Sequence, residues 1–232
     1  MQAIILAGGF GTRLRSRIKD LPKPMAPVAG RPFLEYLLDR LDKGGCSKVV
    51  LATGHLSQVI EDHFGDRYRG LAIEYSREAS PLGTGGAIVQ ALRLLPAQPA
   101  LVLNGDTWLD LDPAAFVAWC EARPGCDAIV LRSLPDASRY GSVELAGERI
   151  LRFGEKAAEG PGLINAGVYW LHLQSFQGFD LPTAFSIETD FFQPHVTELD
   201  LRGFVMDGNF IDIGVPQDYD RAQVELPRWL GK

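Results

Sequence analysis

The chain has 232 residues, 46% of them hydrophobic and 22% charged, with a formal net charge of −6. That composition suits a globular protein and argues against a disordered chain. The negative sum argues against a broad nucleic-acid or anionic-membrane surface but is compatible with a local basic pocket. Three cysteines (Cys46, Cys120, Cys126) make neither an even disulfide set nor a zinc spacing, so they read as buried thiols in a reducing compartment.

The first element is an apolar strand over residues 2–7. It begins so early that no cleaved leader has room before it, and no apolar run approaches membrane-spanning length, so a cytoplasmic protein is expected. Gly8, Gly9 and Gly11 follow in a loop, with Arg13 and Lys23 close beyond. Residues 32–43 read as a helix with apolar positions 33, 34, 37, 38 and 41 on one face, Pro32 in the first turn and Gly44-Gly45 at the end. Strands at 48–53 and 71–75 flank a short helix over 56–64. A second glycine-rich turn, Pro81-Leu-Gly-Thr-Gly-Gly-Ala87, opens a helix with Ala87, Ile88, Ala91, Leu92 and Leu95 facing inward.

A strand over 100–104 stops at Gly105-Asp106, Asp112-Pro113 has the form of a helix start, and 128–132 reads as an inner strand. From Tyr140 the pattern changes. Residues 142–145 and 149–153 alternate around Ala146-Gly147 as a hairpin, and an apolar strand returns over 166–172. Ser186 caps a helix over 187–194, a second hairpin is expected for 202–206 and 210–213 around Asp207-Gly-Asn209, and Pro216 opens a closing helix to Leu226. Strand–helix alternation predicts a three-layer α/β sandwich with a mixed, mainly parallel sheet, a smaller β-hairpin region in the second half, and the ligand at one edge of the sheet. No linker or repeat interrupts it, so residues 1–232 are expected to form one domain.

Glycines let backbone N–H groups approach a ligand, and two cations nearby suit a polyphosphate. The loop therefore reads as a nucleoside-triphosphate site. The dinucleotide fingerprint fails because Leu14 stands where its third glycine belongs, and the P-loop fails because Gly11 is followed by Thr12-Arg13. A plain tight turn explains the glycines alone as well as function does. The whole string Leu6-Ala-Gly-Gly-Phe-Gly-Thr-Arg-Leu14, followed by Pro22-Lys-Pro-Met25, is more specific. It resembles the signature of the sugar-1-phosphate nucleotidylyltransferases, which join a nucleoside triphosphate to a sugar 1-phosphate and release pyrophosphate.

The resemblance spans nearly the whole chain and implies a Rossmann-like fold, a mainly nucleotide-binding half (1–110) and a mainly sugar-phosphate-binding half (111–232). It implies that Leu6, Ala7, Gly8, Gly9, Gly11 and Thr12 cradle the nucleotide, that Arg13 holds the leaving pyrophosphate, and that Lys23 contacts phosphates across the reacting centre. Pro81, Gly83, Thr84, Gly85 and Gly86 fall in the base-recognition loop, where missing side chains would let a flat ring lie on the backbone. Asn104, Gly105 and Asp106 end an inner strand, and Asp106 with Asp212 would hold Mg²⁺. Phe210 stands where many relatives have tryptophan, which keeps an aromatic wall. Asp207 reads as a turn residue. On the sugar side the resemblance implies Tyr140, Gly141, Glu155, Lys156 (on the sugar phosphate), Asn165 and, as the weaker candidate, Glu188. The four histidines have neither ligand nor triad spacing.

Residues 20–26, 78–87 and 103–107 look most like the guanylyltransferases acting on D-glycero-D-manno-heptose 1-phosphate, which supply GDP-heptose for bacterial capsule or surface-layer glycans. Mannose-1-phosphate guanylyltransferase and N-acetylmuramate-1-phosphate uridylyltransferase are the alternatives. Another is a regulatory subunit that binds nucleotide sugars without turnover, against which Arg13, Lys23, Asp106, Lys156 and Asp212 all speak. The chain ends soon after Asp212, so a single activity is expected; relatives are often dimers or tetramers, which makes a homo-oligomer one option, but no exposed apolar stripe in the sequence singles out an interface. The expected partners are these small substrates, with neither nucleic acid nor membrane.

Overall fold

Successive residues of the first strand serve opposite faces of one sheet, as the two-residue period of a strand requires. The computed structural model describes residues 1–232 except 10–13, 15–16, 19–20, 96–98, 157–159 and 232, with backbone alone at 155 and 156. The strands are β1 (Gln2–Leu6), β2 (Pro27–Val28), β3 (Arg31–Pro32), β4 (Lys48–Thr53), β5 (Arg67–Tyr68), β6 (Leu71–Arg77), β7 (Ala100–Asn104), β8 (Thr107–Leu109), β9 (Asp127–Leu134), β10 (Gly141–Ala146), β11 (Arg149–Lys156), β12 (Gly162–Leu171), β13 (Leu201–Met206) and β14 (Phe210–Asp212). The helices are α1 (Phe33–Lys43), α2 (Ser57–Phe64), α3 (Gly83–Leu92), α4 (Pro113–Glu121), the single turn α5 (Gln193–His195) and α6 (Pro216–Trp229).

Ala3 and Ile5 face a core that holds Leu34, Leu38 and Leu41 of α1, Ile60 of α2, Phe116 of α4 and Leu226 of α6. Ile4 faces the other core, with Ala87, Ile88 and Ala91 of α3 and Phe191 and Phe192 beyond it. Helices thus cover both faces of the sheet in three layers, which explains why the inner strands are apolar throughout. Asp112 caps α4, its side chain accepting from the Ala114 and Ala115 amides at 2.9 and 3.4 Å.

The main sheet has the order β10-β11-β13-β9-β12-β7-β1-β4-β6-β5. Its parallel character is confined to β7-β1-β4-β6 and to the β9–β13 pair. β12 runs antiparallel between β7 and β9, and β10 and β11 are antiparallel too. The sheet is therefore mixed, and the expected smaller hairpin region is not separate: β10 and β11 pair across residues 147–148 and extend the main sheet at its edge.

Three local expectations are corrected. Residues 202–206 and 210–213 are not a hairpin: β13 lies parallel to β9, whereas β14 pairs with β8 in a two-stranded ribbon of its own. Asp207-Gly-Asn209 supplies a turn, but the partners of each strand are chosen by distant surfaces. β12 begins at Gly162, earlier than its apolar run, because a bulge between Asn165 and Tyr169 breaks the alternation, with Gly167 at φ +73°. The segment after Ser186 is a π-helix over Ile187–Phe192 that passes into α5.

Candidate functional site

The strands β1, β4, β6 and β7 all point their C-terminal ends at one edge of the sheet, where an open α/β sheet leaves a crevice. A cleft of about 300 Å³ lies there, lined by Leu6, Gly8 and Gly9 after β1, by Glu78, Pro81, Gly83 and Thr84 after β6, by Asn104, Gly105 and Asp106 after β7, and by Lys23 and Pro24. Gly11, Thr12 and Arg13 lie outside the described residues. Ala7 is fully buried, and its amide donates to the Ala52 carbonyl at 2.7 Å.

Close backbone approach shapes this cleft. The Gly105 amide donates to the Leu6 carbonyl at 2.9 Å, and a Cβ on Gly105 would overlap that same oxygen. A Cβ on Gly8 would stand 2.5 Å from Glu78 Oε1. Gly9 has open space before it. Gly85 and Gly86 differ: both are buried, and a Cβ on either would overlap the Phe185 ring or the Thr183 carbonyl. Their small size is required by packing against residues 183–185, so the expected bare-backbone platform for a base is not found at these two positions. The Gly85 amide is already used, donating to the Phe185 carbonyl at 2.9 Å. Thr84 lines the cleft, and its hydroxyl accepts from the Ile187 amide at 3.0 Å, which ties this loop to the π-helix.

A second cleft, of about 210 Å³, is lined by Tyr140, Gly141, Asn165, Gly167, Tyr169, Glu188, Phe210 and Asp212 among others. Asn165 donates to Tyr169 Oη at 2.9 Å and to Glu188 Oε1 at 2.8 Å, and accepts from the Gly167 amide at 2.9 Å. Burial, and then the nearby Glu188 charge, pushes the Tyr169 phenol well above its ordinary value, so it stays neutral. The Tyr140 ring meets Phe210 edge to face at 6.1 Å between centroids. Arg139, beside Tyr140, reaches Asp218 of α6 at 2.6 Å, and Arg221 reaches the same carboxylate at 3.0 Å. The Glu155 and Lys156 side chains lie outside what the structure describes; the backbone pairs Lys156 with Gly141.

The two clefts meet at Asn104, which lines both. Asp106 faces the first and Asp212 the second. The β8–β14 ribbon brings them together, with Asp212 opposite Thr107, and the Ile213 amide donates to the Asp106 carbonyl at 2.9 Å. The Lys23 ammonium pairs with Asp106 and lies 3.9 Å from Asp212. Gly214 permits this crowding: its amide donates to Asp212 Oδ1 at 2.6 Å, and a Cβ on it would stand 2.8 Å from both that oxygen and Lys23 Nζ. Burial, and then repulsion from Asp106, raises the Asp212 carboxyl above its ordinary value, with Lys23 opposing.

Two carboxylates facing one ammonium form a hard oxygen donor set that is short of positive charge, which fits a divalent cation. Among the described residues no group of three or more His, Cys, Asp or Glu side chains is placed to hold a metal ion. A cation there would complete its shell with water or ligand oxygens, as Mg²⁺ commonly does. Among the described residues no histidine lines either cleft. Asp207 is exposed and paired with Arg132 at 2.7 Å.

Sequence reasoning named Glu78, Gly167 and Gly214 only as members of longer motifs, and gave neither them nor Phe185 a role of their own. Asp212-Ile-Gly214 carried a usable signal, since an aspartate accepting from the amide two residues on is a common turn. Glu78 closes a strand at the edge where Gly8 closes another, but only the sheet order makes them neighbours.

Residues 2–228 match the nucleotidyl transferase family. Over 230 residues the chain is 40% identical to the D-glycero-alpha-D-manno-heptose 1-phosphate guanylyltransferase of Aneurinibacillus thermoaerophilus, covering 99% of this chain and 100% of that protein. It is 43% identical over 220 residues to the enzyme of the same name from Campylobacter jejuni, covering 94% and 97%. The crystal structure of HddC from Yersinia pseudotuberculosis complexed with GMP-PN superposes with a TM-score of 0.84 at 33% identity, covering 97% of this chain and 99% of that one. Among the described residues no helix is long and apolar enough to cross a membrane.

Proposed function

Because the chain belongs to the nucleotidyl transferase family, we propose that it transfers GMP from GTP to D-glycero-α-D-manno-heptose 1-phosphate, giving GDP-heptose and pyrophosphate for bacterial surface-glycan synthesis. The observation that carries the reading is the seam between the clefts, where Lys23, Asp106 and Asp212 converge from three distant parts of the chain. The choice of guanine and heptose rests on the two relatives that are 40% and 43% identical. Residues 1–110 would mainly hold the nucleotide and 111–232 mainly the sugar phosphate, within one domain.

A sugar 1-phosphate has a second pKa near ~6, so the attacking oxygen is already ionised at neutral pH. No general base is required, and among the described residues no histidine lines either cleft. The phosphate oxygen attacks the α-phosphorus in line, a new P–O bond forms, and the bond to pyrophosphate breaks with its electrons. The protein's task is to position the two substrates and to offset their negative charge. Asp106 and Asp212 would hold Mg²⁺, which when bound supplies positive charge to phosphate oxygens. Lys23 would pass from its carboxylate partner toward phosphate as the nucleotide enters. Arg13 would hold the leaving pyrophosphate and Lys156 the sugar phosphate. Tyr140, the Gly141 amide, Glu155, Asn165 and Glu188 would bind sugar hydroxyls, with Phe210 as a wall behind Tyr140.

The test is a pyrophosphate-release screen of four nucleoside triphosphates against heptose, mannose, glucose and N-acetylmuramate 1-phosphates, with Mg²⁺. The expected result is highest kcat/KM for GTP with the manno-heptose. Highest activity with another pair reassigns the substrates, and no release with any pair favours a nucleotide-sugar-binding regulatory protein.

A further inference from the structure

Thr84 lines the first cleft, yet its hydroxyl oxygen is bonded to the element that serves the second. Residues 82–85 and the segment before the π-helix lie against each other as a short ladder. The Phe185 amide donates to the Leu82 carbonyl, and the Gly85 amide donates to the Phe185 carbonyl, both at 2.9 Å. A Cβ on Gly83 would overlap that same Phe185 oxygen, so Gly83, Gly85 and Gly86 are all kept small by residues 183–185. Thr84 is the one residue among them with a side chain. Its hydroxyl accepts from the Ile187 amide at 3.0 Å, one step beyond the end of the ladder.

The first amides of a helix have no partner within it. At the start of the π-helix they are shared between two hydroxyls. Ser186 accepts from the Thr189 amide at 3.3 Å, a local cap, whereas the Ile187 amide is taken by Thr84 from a distant part of the chain. Ser186 thus closes its own turn, and Thr84 sets where that turn sits. Ile187 is buried, and the next residue is Glu188, which lines the second cleft and accepts from Asn165 at 2.8 Å. One residue of backbone therefore separates the amide that Thr84 holds from the residue that carries this carboxylate. Hydrogen bonds weaken steeply with misalignment, so a small shift of the turn changes what Glu188 can accept.

Building on the proposal that the second cleft takes the sugar phosphate, we infer that Thr84 is a positioning residue for that substrate. Its hydroxyl fixes the first turn of the π-helix and, through it, the carboxylate of Glu188. A residue that lines one cleft thereby builds the other.

Thr84→Val keeps the side-chain shape and removes the acceptor, whereas Thr84→Ser keeps the acceptor. Kinetics are measured with GTP and whichever sugar 1-phosphate turns over best. Thr84→Val is expected to raise KM for the sugar phosphate up to about tenfold, and at least about threefold more than KM for GTP, and Thr84→Ser to recover most of that difference. Amide hydrogen exchange without substrates should quicken at Ile187 in Thr84→Val and in Thr84→Ala, but not in Thr84→Ser. A double-mutant cycle tests the route: with Glu188→Gln in place, Thr84→Val should add less than about twofold to the sugar-phosphate KM. A variant that merely loosens the loop raises both KM values together, and that result overturns the inference. Unchanged exchange at Ile187 overturns it too, as does full additivity with Glu188→Gln. The outcomes also separate the two claims. Turnover whose sugar-phosphate KM is unmoved by Thr84→Val removes Thr84 alone, whereas no turnover with any sugar phosphate removes the proposed reaction and this inference with it.

Discussion

The two clefts are built by opposite means. The first cleft, proposed for the nucleotide, is made by leaving side chains out: Gly8 and Gly105 bring β1 and β7 against their neighbours so closely that a single added carbon collides with Glu78 or with the Leu6 carbonyl. The second cleft, proposed for the sugar phosphate, is made by satisfying side chains: Asn165, on a bulged antiparallel strand, donates both to Tyr169 of that strand and to Glu188 of the π-helix. One side is therefore vulnerable to added volume, the other to a lost partner. Between them the seam is vulnerable to a change of charge, because among the described residues Lys23 is the one cation within ion-pair distance of its two carboxylates.

The seam should give the largest effect. Asp106→Asn is expected to lower pyrophosphate release by about a thousandfold or more, comparable with removal of a main charge-stabilising group elsewhere, and to abolish any rise in melting temperature that added Mg²⁺ produces in wild type, as binding at the proposed site would. Turnover near normal would take Asp106 out of the reaction. Gly105→Ala tests the exclusion of side chains. Because the obstructing atom is a backbone oxygen that cannot rotate away, a loss of about 3 kcal/mol is expected in denaturant unfolding; a wild-type midpoint would show that β1 and β7 can part there.

Asn165→Ala tests the contrasting side. It strands Glu188 and the Tyr169 hydroxyl, which should cost about 1–2 kcal/mol and raise KM for the sugar phosphate at least fivefold more than KM for GTP. If both constants rise equally, the clefts do not divide the substrates as proposed. The smallest effect is expected from Asp218→Asn. Asp218 is itself only 6% exposed, but Arg139 and Arg221 are 55% and 53% exposed beside it and remain solvated, and asparagine keeps the side chain's shape, so stability should fall by about 1 kcal/mol. Steady-state kinetics should still show a few-fold rise in KM for the sugar phosphate, since Arg139 anchors the turn that carries Tyr140.

Local elements were legible where local rules decide them. The apolar face of α1, the Asp112 cap of α4 and the buried inner strands all follow from spacing that neighbouring residues impose on one another. The hairpin expected for 202–206 and 210–213 was a misreading of the same kind of signal: Asp207-Gly-Asn209 says that the chain turns, not which strand it turns toward. Gly85 and Gly86 show the limit at single residues. Glycine reports that something comes close, and in the fold that neighbour is Phe185 or Thr183, not open cleft.

By itself the sequence determined the elements, the apolar and polar faces, and a motif long enough to point to its family, because these depend on residues a few positions apart. Only the tertiary structure decided that Lys23, Asp106 and Asp212 meet, that Glu78 lies beside Gly8, and that Asn165 reaches Glu188. Each pair is separated by tens of residues or more, and such neighbours are chosen by the order of strands and by which surfaces bury one another. That order is a property of the whole sheet, and no window of the sequence contains it.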